Sequence, residues 1–303
     1  MEDDFDFTRA QAAAQLAPFK PTVSKFYDVD AAQRFFASCG KKEFFPAGQT
    51  LFVENERSGK QGLFGKRTIH RMYFITGGEV ALSVAGKLLD TIKPGEIFGE
   101  MAVISDNASE STRSATAVVK SDCNTYSLDA DELRRGLSGT PEFALMLMSV
   151  MFDRLRFVAA RLATRRLAPG KDVPRETAVF DRAALASLAQ KLEDATTMHY
   201  LAGKPIMNEG DSGMSMYIVL DGLVAISIKG KIVERVAAGG TFGEMALVDQ
   251  SPRTASAVAE TESALLAINR ATLIALVKAE PAVGLTMLLS VAARLRHMNA
   301  LLT

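Results

Sequence analysis

Along residues 51–92, and again in the second half of the chain, short runs of Val, Ile, Leu and Phe alternate with polar residues and are punctuated by glycine. The stretches 51–54, 73–76, 80–84 and 87–92 carry this two-residue period, as do their later counterparts. A period of two sends alternate side chains to opposite faces, so each stretch is predicted to be a strand with one buried and one wet face. Short, evenly spaced strands predict a double-sheet jelly roll. The period then changes. Residues 141–161 and 281–301 place apolar side chains at helical spacing, each beginning at a proline, which suits the first helical turn. The expected fold class is mainly β with flanking α-helices, as two tandem double-sheet jelly rolls.

The tandem reading rests on an internal repeat. Phe98-Gly99-Glu100-Met101-Ala102-Val103 recurs 144 residues later as Phe242-Gly243-Glu244-Met245-Ala246-Leu247. Met72-Tyr73-Phe74-Ile75 matches Met216-Tyr217-Ile218-Val219 at the same offset. Further on, Arg113 matches Arg253 at 140, so the first copy has four extra residues between its Glu and its Arg. Earlier, Ala47-Gly48 matches Ala202-Gly203 at 155, so it also has eleven extra residues between Glu54 and Met72. The latter insertion is Gly-rich and basic (Arg57, Lys60, Lys66, Arg67, Arg71) and reads as an exposed loop. Both terminal helices carry Arg-Leu-Arg, at 154–156 and 294–296. The stretch 164–177, with two prolines, a glycine and several charges, reads as an exposed linker, and the Ala- and Gln-rich start is compatible with a short helix cut by Pro18 and Pro21.

Composition narrows the classes. The chain has 303 residues, 48% of them apolar, enough for two buried cores. Lys plus Arg and Asp plus Glu each number 35, so no overall charge draws it to nucleic acid or an anionic membrane. Cys39 and Cys123 are too few for a disulfide framework, and with His70, His199 and His297 they show no metal-ligand spacing. The longest apolar runs fall short of a bilayer span, and the acidic start is unlike an export signal. A cytoplasmic protein is expected, with no metal and no cofactor. The glycine-rich segment Gly59-Lys60-Gln61-Gly62-Leu63-Phe64-Gly65-Lys66-Arg67 fails P-loop spacing and lacks the Ser or Thr that would hold magnesium. No nucleophile–base pair suggests catalysis, so no catalytic residue is assigned.

The segment Phe242-Gly243-Glu244-Met245-Ala246-Leu247 through Pro252-Arg253-Thr254-Ala255 resembles the phosphate-binding cassette of the cyclic-nucleotide-binding domain family. That family includes regulatory subunits of cAMP-dependent protein kinase, catabolite activator proteins and cyclic-nucleotide-gated channels. The likeness covers roughly residues 32–165 and 180–303. It implies an N-terminal extension at 1–31, a first binding domain at 32–163, a linker at 164–179 and a second binding domain at 180–303.

The residue types suit such a ligand. A glycine followed by a short helical turn presents free N–H groups to an anion. Gly243 lets the backbone approach closely, and Arg253 can donate two parallel hydrogen bonds to phosphate oxygens. Glu244 would repel a phosphate unless it accepts from the ribose 2′-hydroxyl. The resemblance makes Val224 an apolar wall for the base and adds Phe242, Met245, Ala246, Thr254 and Ala255 to the second site. The first-site counterparts are Val80, Phe98, Gly99, Glu100, Met101, Ala102, Arg113, Ser114 and Ala115. There the four-residue lengthening and Glu110 predict a modified rather than a lost site. Arg154 and Arg294 are candidate lids that fold over the base and stack on it, as an arginine on this helix can in related channels; they could instead serve only the helix dipole.

The Glu–Arg pairs could simply be ion pairs shaping a loop, but their duplication with the flanking Gly and Ala favours ligand binding. Met146, Met148 and Met151 read as helix-packing core or a dimer seam. Arg165-Arg166-Leu167-Ala168 resembles a kinase pseudosubstrate but reads as linker charge. The expected function is a non-catalytic receptor for a 3′,5′-cyclic nucleotide, cAMP favoured over cGMP. Binding would move the C-terminal helices and the inter-domain geometry to regulate an unidentified effector protein. The helix stripe Leu285, Leu288, Leu289, Ala292 and Leu295 is a candidate homodimer or partner surface, or packs on its own barrel. The alternatives are a ligand-free scaffold and, third, the regulatory subunit of a protein kinase, which calls for an inhibitory segment before residue 30.

Overall fold

A computed structural model describes residues 26–61, 66–105, 111–164, 175–177, 179–181, 183–185, 188 and 196–300. The pseudosubstrate-like 165–168, Glu110, the prolines at 18 and 21 and most of the expected linker lie outside these residues.

The first repeat opens with α1 (Val29–Cys39), started by the Asp28 side chain accepting from the Ala31 N–H. Ala32, Phe35 and Phe36 recur at helical spacing and are buried, and the Phe35 ring stacks on Phe143 at 3.7 Å. The expected boundary at residue 32 therefore falls inside a continuous helix.

Strands β1 (Lys41–Phe45), β2 (Thr50–Phe52), β5 (Met72–Val84), β6 (Lys87–Ile92), β7 (Ile97–Phe98) and β8 (Thr116–Leu128) form one antiparallel sheet centred on β8 and β5. Between β2 and β5 the eleven-residue insertion folds into a hairpin, β3 (Gly59–Gln61) with β4 (Lys66–Thr68). Its last residue departs from the exposed-loop expectation. Arg71 donates to Glu132 Oε2 at 2.8 Å and to the Ser127 hydroxyl and carbonyl, because burial of Glu132 demands a cation.

The second repeat divides the same ribbon. Strands β10 (Thr196–Tyr200), β12 (Ser215–Asp221), β15 (Thr241–Phe242) and β17 (Ser263–Asn269) make one sheet. Strands β11 (Pro205–Met207), β13 (Leu223–Ile228), β14 (Lys231–Ala237) and β16 (Ser256–Ala259) make another. The turning point is the same glycine in both copies, Gly78 (φ 84°) and Gly222 (φ 91°). A Cβ there would lie 2.3 Å from the Asp122 carbonyl oxygen and 2.4 Å from that of Glu262, so only glycine fits the corner. Part of the expected linker is a strand, β9 (Arg175–Thr177), which pairs in parallel with the otherwise open edge of β14.

Each barrel is followed by helices that the sequence reading omits. In α3 (Ala130–Gly139) Asp129 and Glu132 form a reciprocal capping box, and in α6 (Arg270–Ala279) the Asn269 side chain accepts from the Thr272 N–H. The expected terminal helices follow as α4 (Phe143–Thr164) and α7 (Pro281–Ala300). Pro281 opens α7, whereas Pro141 precedes α4.

The two repeats meet along α4 and α7. Gly284 makes the approach close, since a Cβ there would lie 3.0 Å from that of Ala144. Met148, Met151 and Phe152 are fully buried, each contributing about 1.5–3 kcal/mol by area transfer. They belong to one core running through both halves, which supports the packing reading of the methionines. The stripe offered as a dimer surface is corrected here. Leu288, Ala292 and Leu295 are buried inside the same chain, and Leu285 and Leu289 pack against that core. Among the described residues, no single helix is long and apolar enough to cross a membrane; α6 and α7 reach that composition only as a pair bent by 114°.

Candidate functional site

Between β7 and Arg113 in the first repeat, and between β15 and Arg253 in the second, the chain makes a short helix, α2 (Glu100–Val103) and α5 (Glu244–Asp249) respectively. Both start from a left-handed glycine, Gly99 (φ 78°) and Gly243 (φ 82°). A Cβ would meet Arg113 Nη1 at 3.0 Å in one and Arg253 Nη1 at 2.7 Å in the other, so glycine is needed both for its dihedral and for the guanidinium beside it.

The arginines are buried and held alike. Arg253 donates from Nη1 to the Gly243 carbonyl at 2.7 Å and from Nη2 to the Ser215 carbonyl at 2.6 Å. Arg113 makes the matching bonds to Gly99 (3.1 Å) and Arg71 (3.0 Å). Two of five guanidinium donors fix its plane and the others remain for a ligand. Burial pushes Arg113 down to about 10, against the pull of Tyr73, Glu56 and Glu100. It also lowers Arg253.

Glu100 and Glu244 are almost wholly buried, at 0% and 2% exposure. Each places Oε1 on an arginine of the terminal helix, Arg154 and Arg294 respectively, and leaves Oε2 without a hydrogen-bond partner. A buried carboxylate oxygen without a donor is costly unless a ligand supplies one.

The two lid candidates, Arg154 and Arg294, point inward, because the buried carboxylates need a cation. Their Nη2 groups donate to the carbonyls of Ile97 (3.2 Å) and Thr241 (2.9 Å). Arg294 also meets Glu234 at 2.8 Å. Burial works against its charge, but Glu234 and Glu244 more than offset that and hold its pKa above the ordinary arginine range.

In the second repeat Phe242, Gly243, Glu244, Met245, Arg253, Thr254, Ala255 and Arg294 line a cavity of about 670 Å³. In the first, Gly99, Glu100, Met101, Ala102, Arg113, Ser114, Ala115 and Arg154 line one of about 300 Å³. Phe98 and Ala246 are buried behind these cavities, as are Val80 and Val224. The apolar wall instead comes from Leu82 and Ile226, two residues along and on the same strand face. The sequence reading also missed Phe52, whose ring lies 3.9 Å from the Arg113 guanidinium, and Met207, its match in the second site. The 155-residue offset between copies pairs them. Glu234, His297 and Met298 were missed too; Glu234 matches Asp90 by the repeat.

The two insertions of the first copy, separate in sequence, meet. Ser111 donates to the Ala102 carbonyl at 2.6 Å and bonds His70 Nδ1 at 2.8 Å, and Ser58 N–H donates to the Ser111 carbonyl. Among the described residues no cluster of His, Cys, Asp and Glu could hold a metal ion.

The family model described as the cyclic nucleotide-binding domain matches residues 42–139 and 197–280, more than half of the chain. The cAMP-dependent protein kinase regulatory subunit of Eremothecium gossypii is 29% identical over 191 residues, 63% of this chain and 36% of its own length. The cGMP-dependent protein kinase of Eimeria tenella is 26% identical over 228 residues, 75% of this chain and 19% of its own length. The chain thus spans well under half the length of either relative. A solved structure of the regulatory domain of Toxoplasma gondii PKA with cAMP shares 20% identity, with 82% of this chain and 87% of that chain covered and a TM-score of 0.29.

Proposed function

The chain belongs to the cyclic nucleotide-binding domain family, and from that premise we propose that it is a non-catalytic receptor for a 3′,5′-cyclic nucleotide whose occupancy regulates a partner protein. One observation carries the reading: in both repeats a fully buried carboxylate keeps one oxygen without a donor, beside a left-handed glycine and a buried arginine. A ribose 2′-hydroxyl supplies the missing donor to Glu100 or Glu244. The ring phosphate takes the N–H groups of the following helical turn and the remaining donors of Arg113 or Arg253. Leu82, or Ile226 with Met298, faces the base. The residues assigned to each site from the motif keep that assignment, Phe98 and Ala246 backing the cavities from behind, with Leu82 and Ile226 in place of Val80 and Val224 as walls.

Occupancy acts on the terminal helices because Arg154 and Arg294 share the carboxylate that the ribose approaches. A ligand that bonds Glu244 changes the grip of α7, and one that bonds Glu100 changes that of α4. cAMP is the favoured ligand over cGMP. Thr254, where a hydroxyl could select guanine, has its hydroxyl 3.6 Å from Met245 Sδ. The names of the relatives favour a protein-kinase catalytic subunit as the partner.

Isothermal titration of the full chain with cAMP and cGMP tests the receptor reading. Heat is expected with cAMP, and Arg253→Ala is expected to remove the second-site component by weakening it ~2–5 kcal/mol, since a buried phosphate loses its charged donor. Absence of heat with every 3′,5′-cyclic nucleotide leaves the scaffold reading in its place. Inhibition of a kinase catalytic subunit by the chain, relieved by cAMP, identifies the partner.

A further inference from the structure

Three consecutive residues of α4 touch both sites. Arg154 holds Glu100 of the first site. Leu155, 3% exposed, lines the second cavity although it belongs to the first repeat. Arg156 donates to the Ser251 hydroxyl at 2.8 Å, two residues before Arg253. The matching triplet of α7 reciprocates in part: Arg294 holds its own Glu244, and Arg296 donates to the carbonyls of Met101 (3.3 Å) and Ile104 (3.1 Å) in and after α2 of the first repeat. Leu295 is buried but does not line the first cavity. Successive helical residues point about 100° apart, so a triplet can face three neighbours at once.

Phe242 to Glu244 and Arg253 form the polar end of the second cavity, whereas Leu155 joins Met207, Ile226, Ile228 and Met298 at its apolar side. That side suits a flat base, and one of its walls is contributed by the other repeat.

Resting on the receptor reading, we propose that the second site is a composite pocket, incomplete without the first repeat, and that Leu155 is a specificity-determining residue for the base bound there. The wall is held in place by Arg156 on Ser251 at one end and by Arg154 on Glu100 at the other. Ligand in the second pocket therefore presses on the same helical turn that grips the first site's carboxylate.

The test is titration of the full chain and its variants with cAMP and with a cAMP analogue carrying a bulky base substituent. The second-site component is identified by its loss in Arg253→Ala. Leu155→Ala is expected to weaken cAMP at the second site ~10-fold, as apolar groups are lost from a base pocket, and to weaken the bulky analogue less, so that the ratio between the two ligands moves at least about threefold. Leu155→Val, a smaller change, is expected to move the same ratio in the same direction, and it carries the test if Leu155→Ala does not fold. A change of ratio separates a wall from a merely structural leucine, which would alter both ligands alike. Second-site affinities and ratio unchanged in folded variants overturn the composite pocket while leaving the receptor reading intact. Wild-type chain that binds neither ligand overturns both.

Discussion

The two repeats present the same glycine, carboxylate and arginine in the same geometry, yet line clefts of unequal size, about 300 and 670 Å³ with the space open to solvent included. The difference comes from the residues around the motif. Phe52 lies across the guanidinium in the first site where the second has Met207. Asp90 of the first copy spends its side chain on the adjacent Thr91 N–H, whereas the longer Glu234 reaches Arg294. The helix arginine of the first site thus has one ion pair, Arg154 with Glu100, and that of the second has two, Arg294 with Glu234 and Glu244. A duplicated motif can therefore hold two unlike sites, one tighter, the other roomier and with a doubly paired arginine.

Substitutions at these points break or sharpen that contrast. Arg294→Ala leaves Glu234 and Glu244 buried without their cation and is expected to cost ~3–5 kcal/mol of stability in urea denaturation. Arg154, more exposed and with one carboxylate, is expected to cost about half as much on the same substitution; equal losses would erase the electrostatic contrast. Exchanging the ring and the thioether comes next. Phe52→Met should open the first cavity and Met207→Phe should fill the second, lowering second-site cAMP affinity ~10-fold by calorimetry. An unchanged affinity after Met207→Phe would show that cavity size does not govern binding. Asp90→Glu, which offers Arg154 a second carboxylate, is expected to add about 0.5 kcal/mol, read as a raised melting temperature.

The smallest effect belongs to His70, opposite which the second copy has Met214 at the 144-residue offset. Burial, then Arg113, lowers its pKa, against Glu56 and its hydrogen-bonded link to the Ala102 carbonyl. The unfolded chain therefore takes up the proton first. The stability that neutral His70 contributes is present above 6.5, is lost as pH falls below it, and levels off once folded His70 is protonated too. Urea midpoints at pH 7.5 and 5.5 should separate more in the wild type than in His70→Asn.

Much of this contrast was legible in the sequence, and the gaps have physical reasons. The repeat and its motif bring Glu244 to Arg253, because a left-handed glycine and a short helical turn are local requirements. The motif does not say what a buried carboxylate pairs with. Arg294 lies fifty residues beyond Glu244, and only burial makes the pairing compulsory. The resemblance points to Val80 and Val224, which are fully buried, while Leu82 and Ile226, two residues along, line the cavities; a motif match gives the strand and its face and not the depth of the cavity. The helices α3 and α6 were signalled by Asp129 with Glu132 and by Asn269, caps overshadowed by the stronger helical period after them. Leu155 was beyond reach, since no local pattern tells which repeat a buried leucine serves.

Because α4 and α7 meet within one polypeptide, the encounter that completes the second pocket is unimolecular. The tether, not the amount of protein, sets the local concentration of one repeat around the other. A site assembled between separate subunits weakens on dilution as those subunits part. Here the composition of the second pocket should not change on dilution, and its occupancy should follow the free nucleotide concentration.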